Sequence, residues 1–234
     1  MGRHAPPPAP VAAVHGSLLA WLEPPARHRL LDGAVRRSFA AGEVLQHEGD
    51  PTTHVLVLLH GWVRVSKSTA DGRVVLLALR GPGDVLGELA AIDGRPRTAT
   101  VRSIEPVDVA QLSGQQFVAC FRSDPEIAVA TVRSLSARLR DAESARVELA
   151  TLDVGERVAG YLHHMAAEHG RDVADGVAIA VPLTQQDIAD RLGASRRAVA
   201  RALMVLRDRG LIRTSRREVL LLRPHVLAAL AAGR

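Results

Sequence analysis

The apolar positions change their period twice along the chain. From Ser17 to about Val35 the pattern is helical, with Leu18, Leu19 and Leu22 on one side and Leu30 and Leu31 following. From Arg37 to Leu112 it becomes one of short strands broken by turns. Val55-Leu56-Val57-Leu58-Leu59 runs into His60-Gly61, and Trp62, Val63 and Val65 follow. Asp71-Gly72 is a hairpin signal between that strand and Val74-Val75-Leu76-Leu77, and Gly81-Pro82-Gly83-Asp84 is a further turn. Two more strands are expected, from Ala99 to Arg102 and from Val107 to Val109. Glycines recur through this stretch, as they do in a compact all-β barrel or roll.

The period then returns to that of a helix. Ala128, Val132, Leu135, Leu139, Ala142, Arg146 and Leu149 step alternately by four and three, a heptad seam on one long helix. Asp124-Pro125 supplies its N-cap and first-turn proline. So regular a seam favours pairing with a second copy of the chain over packing on its own β domain. Beyond Asp153-Val154-Gly155 a smaller unit begins, with a helix from Arg157 to Ala167, a strand from Val177 to Val181 and two close helices. The expected organisation is a flexible tail (1–16), a β-roll sensor (17–124), a dimerisation helix (125–152) and a C-terminal unit (153–234), α+β in class.

The 234 residues are 47% hydrophobic but only 3% aromatic, so the cores must be built mainly from Leu, Val and Ala. Net charge is +5, and Lys67 is the only lysine, so the basic side is almost wholly arginine. A general bias toward arginine accounts for most of this, which leaves the placement of the arginines as the informative feature. Cys120 is the sole cysteine, which excludes an intramolecular disulfide or a cysteine-rich metal site and fits a reducing cytoplasm. No apolar run approaches the roughly 18 residues of a membrane helix, and Met1 to Pro10 has no signal-peptide core.

Residues Thr184 to Leu203 carry the first dense motif. Thr184 opens a capping box with Asp187, followed by Gln185 in the first turn, and Ile188, Ala189 and Leu192 form the inner face of a short helix. Gly193 permits a sharp turn and Ser195 caps a second helix, whose Val199, Leu203 and Leu206 point inward. That leaves Arg196, Arg197 and Arg201 outward near its start, where a recognition helix meets base edges in the major groove of double-stranded DNA. Between Ser195 and Arg209 five arginines face a single acid, Asp208. A hairpin around Thr214 to Glu218 follows, a wing with Arg216 and Arg217 at its tip for phosphates.

The second dense motif runs from Gly87 to Val101. Gly87-Glu88-Leu89 opens a helical turn before a loop, and Arg97-Thr98-Ala99 returns it to a strand. Backbone N–H groups at such a turn can cradle an anion. Arg97 offers a fork to a phosphate, Thr98 a hydroxyl, and Glu88 an acceptor for a sugar hydroxyl. This segment resembles the phosphate-binding cassette of cyclic-nucleotide-binding domains. The whole span from Ser17 to about Arg223 resembles the cyclic-AMP receptor/FNR superfamily of bacterial regulators, including the hinge from Leu149 to Val154.

The resemblance implies a β-roll sensor, a long dimer helix and a C-terminal winged helix-turn-helix. It places the ribose 2′-hydroxyl on Glu88 and the cyclic phosphate on Arg97 and Thr98, with Arg138 supporting them from the dimer helix. It also implies a homodimeric transcription regulator gated by a cyclic nucleotide, cyclic AMP first, and contact with RNA polymerase. The chain departs from the pattern in two respects. Cyclic-AMP-responsive relatives carry hydroxyl or amide side chains where this chain has Ala142 and Glu143, which leaves open a nucleotide-independent protein or another effector such as cyclic di-GMP. Arg197 stands where relatives have an acid, so a different DNA site is expected. No catalytic pairing is visible. His163 and His164 point to different faces, and no carboxylate is seen to complete a metal-ligand spacing, so neither an enzyme nor a metal site is expected.

Overall fold

The computed structural model describes residues 13–14, 16–179, 181–215 and 218–231. The expected tail lies mostly outside them, as do Arg216 and Arg217. Pro24 and Pro25 decide how the chain begins. A proline holds the residue before it in extended backbone, and Glu23 is extended. The helical segment expected from Ser17 to about Val35 is therefore split into a 3-10 turn at Leu19–Trp21 and α1 (Pro24–Leu31), while Val35 opens a strand.

Eight strands follow: β1 (Val35–Phe39), β2 (Val44–Gln46), β3 (Val55–His60), β4 (Val63–Ser68), β5 (Val74–Arg80), β6 (Val85–Leu86), β7 (Thr100–Ser103) and β8 (Val107–Leu112). They form two antiparallel sheets in the orders β1-β8-β3-β6 and β2-β7-β4-β5. The turn at Asp71-Gly72 joins β4 to β5. Strand β3 is apolar on both faces because both are covered. Leu56 and Leu58 meet Val63, Val101 and Val109 inside the roll. Val55 and Val57 face outward onto Leu18, Leu30 and Phe117.

Between β6 and β7 lies α2 (Glu88–Asp93), and beyond β8 lies α3 (Gly114–Ser123), with a capping box between Ser113 and Gln116. Helix α4 (Pro125–Thr151) starts from Asp124, whose carboxylate accepts from the Glu126 amide at 3.2 Å. Its Ile127, Ala130, Thr131 and Ser134 are buried against the roll. The other side of α4 is bare: Val132 is 62%, Leu139 61% and Leu149 51% exposed. These are positions of the heptad seam.

After two extended residues, Leu152 and Asp153, the chain enters α5 (Val154–His169). The remaining elements are β9 (Gly170–Val173), β10 (Gly176–Ile179), α6 (Gln185–Leu192), α7 (Arg196–Asp208), β11 (Ile212–Ser215), β12 (Glu218–Leu221) and α8 (Pro224–Ala231). Their strands make one sheet, β11-β12-β10-β9. This is a winged helix-turn-helix, and its core runs without interruption onto the roll: Leu162, Met165 and Ile188 share one cluster with Trp62, Leu76 and Leu79.

One cation reinforces that junction. Arg64 on β4 places Nη2 3.1 Å from Asp187 Oδ1 and 3.1 Å from Asp190 Oδ2, both on α6. Asp187 also closes the capping box with Thr184, so a single buried carboxylate both starts α6 and fastens it to the roll. Leu162 is fully buried in the shared core. Leu162→Ala is expected to cost about 2–5 kcal/mol of unfolding free energy, read from urea denaturation, whereas Met204→Ala, half exposed on α7, stays within about 0.5 kcal/mol.

Candidate ligand cleft and nucleic-acid interface

Gly87 adopts a left-handed backbone (φ 80°) at the start of α2. A Cβ there would run into Arg97 Nη1 and the amide of Gln46, so only glycine lets the arginine lie against the turn. Arg97 is 4% exposed and donates three hydrogen bonds to the protein: Nε to Thr52 Oγ1 (3.1 Å), Nη1 to the Gly87 carbonyl (2.9 Å) and Nη2 to the His54 carbonyl (2.6 Å). Burial lowers the pKa of its guanidinium, while Glu88 and Asp50 raise it. Gln46, which the sequence reading passed over, is buried beside this turn with Nε2 unpartnered. An arginine and a free amide donor converging on a glycine turn fit an anionic group such as a cyclic phosphate.

Glu88 is buried and accepts from Arg138 on α4: Nη1 stands 2.7 Å from Oε1, and Nη2 donates to the Val85 carbonyl at 2.8 Å. Asp84 lies 3.6 Å from the same guanidinium. The cassette and α4 are thereby joined directly. Thr98 and Leu89 are exposed and Ala99 is buried. All of these line one cleft of about 790 Å³, whose other walls are β5, the outer part of α4 and the α5 residues Tyr161, His164, Met165 and Glu168. That volume suits a nucleotide-sized ligand. Ala142 lines the cleft, and Glu143 does not: it is exposed and absent from the lining, whereas Asp141, Ala145 and Arg146 are part of it.

The far wall holds a cluster that the sequence reading missed. His164 and Glu168 are four residues apart on α5, and Asp141 reaches them from α4, so that one donor atom of each lies within 4.8 Å of the others. Two carboxylates therefore stand beside His164, where the sequence pattern had led to none being expected. The i, i+4 spacing was visible in the sequence; the approach of α4 was not. Burial raises the Glu168 pKa, with His164 lowering it and Asp141 raising it. Next to it, burial pushes His169 down to about 4, so its imidazole is neutral at pH 7.

In the C-terminal unit, α6 and α7 are set by their caps. The Thr184 hydroxyl accepts from the Asp187 amide at 3.1 Å, Gly193 turns the chain at φ 57°, and Ser195 Oγ accepts from the Ala198 amide at 3.2 Å. Gln185 is half-buried in the first turn of α6. Val199, Leu203 and Leu206 are buried, which turns Arg196, Arg197 and Arg201 to solvent. None of these three pairs with an acid among the described residues, whereas Arg207 is tied to Thr214 of β11 at 3.1 Å. Three unpaired forks on one exposed helix face match the edges and phosphates of a DNA groove.

Comparison with known proteins agrees with this geometry. The profile of the cyclic nucleotide-binding domain matches residues 36–124, and that of the Crp-like helix-turn-helix domain matches residues 156–230. The chain is 32% identical over 183 residues to the CRP-like cAMP-activated global transcriptional regulator of Mycobacterium tuberculosis, covering 78% of this chain and 82% of that one. FixK2 from Bradyrhizobium japonicum superposes with a TM-score of 0.74 at 27% identity, over 84% of this chain and 96% of that one. The c-di-GMP responsive global regulator CLP from Xanthomonas campestris does so with 0.71 at 25% identity, over 85% and 99%. These domains and relatives are those of transcription regulators, not of enzymes. No helix among the described residues is long and apolar enough to cross a membrane. With a cyclic nucleotide-binding roll, a long helix and a Crp-like helix-turn-helix in one chain, the protein belongs to the CRP/FNR superfamily of DNA-binding transcription regulators.

Proposed function

We propose that the protein is a cytoplasmic homodimer that binds operator DNA under the control of a cyclic nucleotide, cyclic AMP first, held in the roll. The observation that carries this reading is the shared cleft, lined by the cassette, by α4 and by the first helix of the DNA-binding unit. A ligand there touches the sensor and the reader at once, so it has the differential contacts that a population shift requires. Arg97, Thr98 and Gln46 would hold the phosphate, Glu88 the ribose hydroxyl, and Gly87 would let the backbone approach. The similarity to a cAMP-activated relative supports the choice of nucleotide.

Two observations favour a second reading with another effector. Arg97 spends three donors on protein acceptors, and Ala142 lines the cleft with no polar atom for a base. The similarity to a c-di-GMP responsive regulator points the same way. Calorimetry with cyclic AMP, cyclic GMP and cyclic di-GMP separates the readings. Saturable heat with cyclic AMP, lost in Glu88→Gln, is expected; heat with cyclic di-GMP alone would favour the second reading, and none at millimolar ligand would end the cyclic-nucleotide proposal.

The bare seam of α4 supports dimerisation through Val132, Leu135, Leu139 and Leu149. A two-fold dimer would present its two recognition helices about 34 Å apart, to successive major grooves. Leu139→Glu is expected to convert the dimer to monomer in sedimentation equilibrium and, with it, to weaken operator binding; a dimer unaffected by the change would exclude this seam.

Arg196, Arg197 and Arg201 would read base edges, with Thr184, Gln185 and Ser195 near the phosphates and the wing arginines Arg216 and Arg217 beside them. Contact with RNA polymerase is carried over from the superfamily. Arg196→Ala or Arg201→Ala should cost about 1–3 kcal/mol of operator binding and relax the preference at one base pair, measured by fluorescence anisotropy on sites obtained by selection from random DNA. Unchanged affinity and preference would overturn this docking.

A further inference from the structure

We propose that Asp141, His164 and Glu168 form a site for one divalent transition cation, zinc-like in its ligand preference, that bridges α4 to α5. The three residues lie on the far wall of the ligand cleft, but the proposal does not depend on the cyclic-nucleotide reading. Its geometry is that of a two-point chelate completed from a second helix. His164 and Glu168 lie on one face of α5 four residues apart, with Nε2 and Oε2 at 3.9 Å. Asp141 comes from α4, across the hinge at Leu152 and Asp153, and one donor of each of the three falls within 4.8 Å of the others. Donors around a common tetrahedral ion at roughly 2.1 Å stand about 3.4 Å apart. Half-exposed side chains can close the remaining ångström by rotamer adjustment.

The surroundings argue for a cation. Two carboxylates approach each other in a cleft of reduced dielectric, where like charges repel strongly. The Asp141 carboxylate has no ion pair and no side-chain hydrogen bond among the described residues. Arg80 is near enough to influence both acids, yet the hydrogen bond it donates goes to the Leu79 carbonyl at 3.4 Å. Asp84, the next acid in the vicinity, is engaged with Arg138. A second and independent sign is His169. Its side chain is only 7% exposed, its Nε2 approaches Glu168 Oε2 to 4.0 Å, and its Nδ1 is buried with no partner at all. The His169 imidazole thus stands beside a carboxylate that already faces His164, with one of its own ring nitrogens unused.

The donor set of one imidazole and two carboxylates suits zinc, cobalt or nickel better than magnesium, which prefers oxygen and retains its waters. Bound there, the ion would tie the long helix to the DNA-binding unit and oppose movement at the hinge.

The test uses the full-length chain, free of any affinity tag and treated with chelator, titrated with Co(II) while its visible d–d absorption is followed, and with Zn(II) in competition. One equivalent per chain is expected. Affinity should fall by at least about tenfold in each of His164→Ala, Glu168→Gln and Asp141→Asn, and remain unchanged in His28→Ala, an exposed histidine on α1. Circular dichroism checks each variant; should His164→Ala fail to fold, the two near-isosteric acid-to-amide changes carry the test. Absence of a Co(II) spectrum at several hundred micromolar, or binding retained in all three variants, would overturn the site. Binding that needs His164 and Glu168 but not Asp141 would overturn the bridge.

Discussion

The guanidinium of Arg138 does what no backbone element of this chain does: it fastens the long helix to the turn that would meet a ligand. Its partners are Glu88 at 2.7 Å, the Val85 carbonyl at 2.8 Å and Asp84 at 3.6 Å. Removing it would leave two buried acids without their cation, and an uncompensated buried charge is far more costly than the pair is stabilising. The consequence is mechanical. Any rearrangement of the Gly87–Glu88 turn must either carry α4 with it or break an ion pair in a poorly solvated place.

From that point the coupling has a defined route. Helix α4 is packed on the roll only through its first half, by Ile127, Ala130, Thr131 and Ser134, and beyond Arg138 its apolar side faces solvent. Two extended residues separate it from α5, and α5 is embedded in the core that joins the DNA-binding unit to the roll. The roll therefore holds the C-terminal unit in three ways, through α4, through the shared apolar core and through the Arg64 pair with Asp187 and Asp190. The last is a direct strut from β4 to the helix that precedes α7. It is specific and easily broken, because Arg64 remains partly exposed and water can take over its hydrogen bonds.

The parts of this architecture that were legible in the sequence are those set by local chemistry. The caps at Asp124, Thr184 and Ser195, the turn at Asp71-Gly72 and the inward faces of α6 and α7 are all decided within a few residues. Short elements were harder to see. Helix α3 has a brief apolar face of Phe117, Cys120 and Phe121 behind its capping box, β9 carries no apolar alternation, and α8 begins at Pro224 with apolar residues on most sides. The opening helix was misjudged because Leu18, Leu19 and Leu22 keep helical spacing across a break imposed by Pro24 and Pro25. In the cleft, Glu88 and Arg97 come from one linear segment, and Arg138 meets Glu88 from α4. Gln46 and Asp141 arrive from β2 and α4, and only the packing of distant segments brings them there.

The placement of Glu143 shows why a residue-by-residue transfer between relatives has a physical limit. Ala142 lines the cleft while its exposed neighbour Glu143 is turned away around the α4 axis, a rotation of about 100° per residue that no single substitution can change. A side chain at position 143 can meet a ligand in this chain only by movement of the helix, and one at the same position of a second copy could meet it only across the seam. Around Ala142 the cleft is lined by Ala145, Leu139 and the β5 wall, which are small or apolar, beside Asp141 and Arg146, which are charged. Discrimination between bases in such a setting rests on shape and on exclusion of unpaired polar atoms, because a buried donor or acceptor left unsatisfied costs about 1–3 kcal/mol. At the cassette end the Arg97 guanidinium already serves three protein acceptors, while the buried Gln46 amide beside it is left without one.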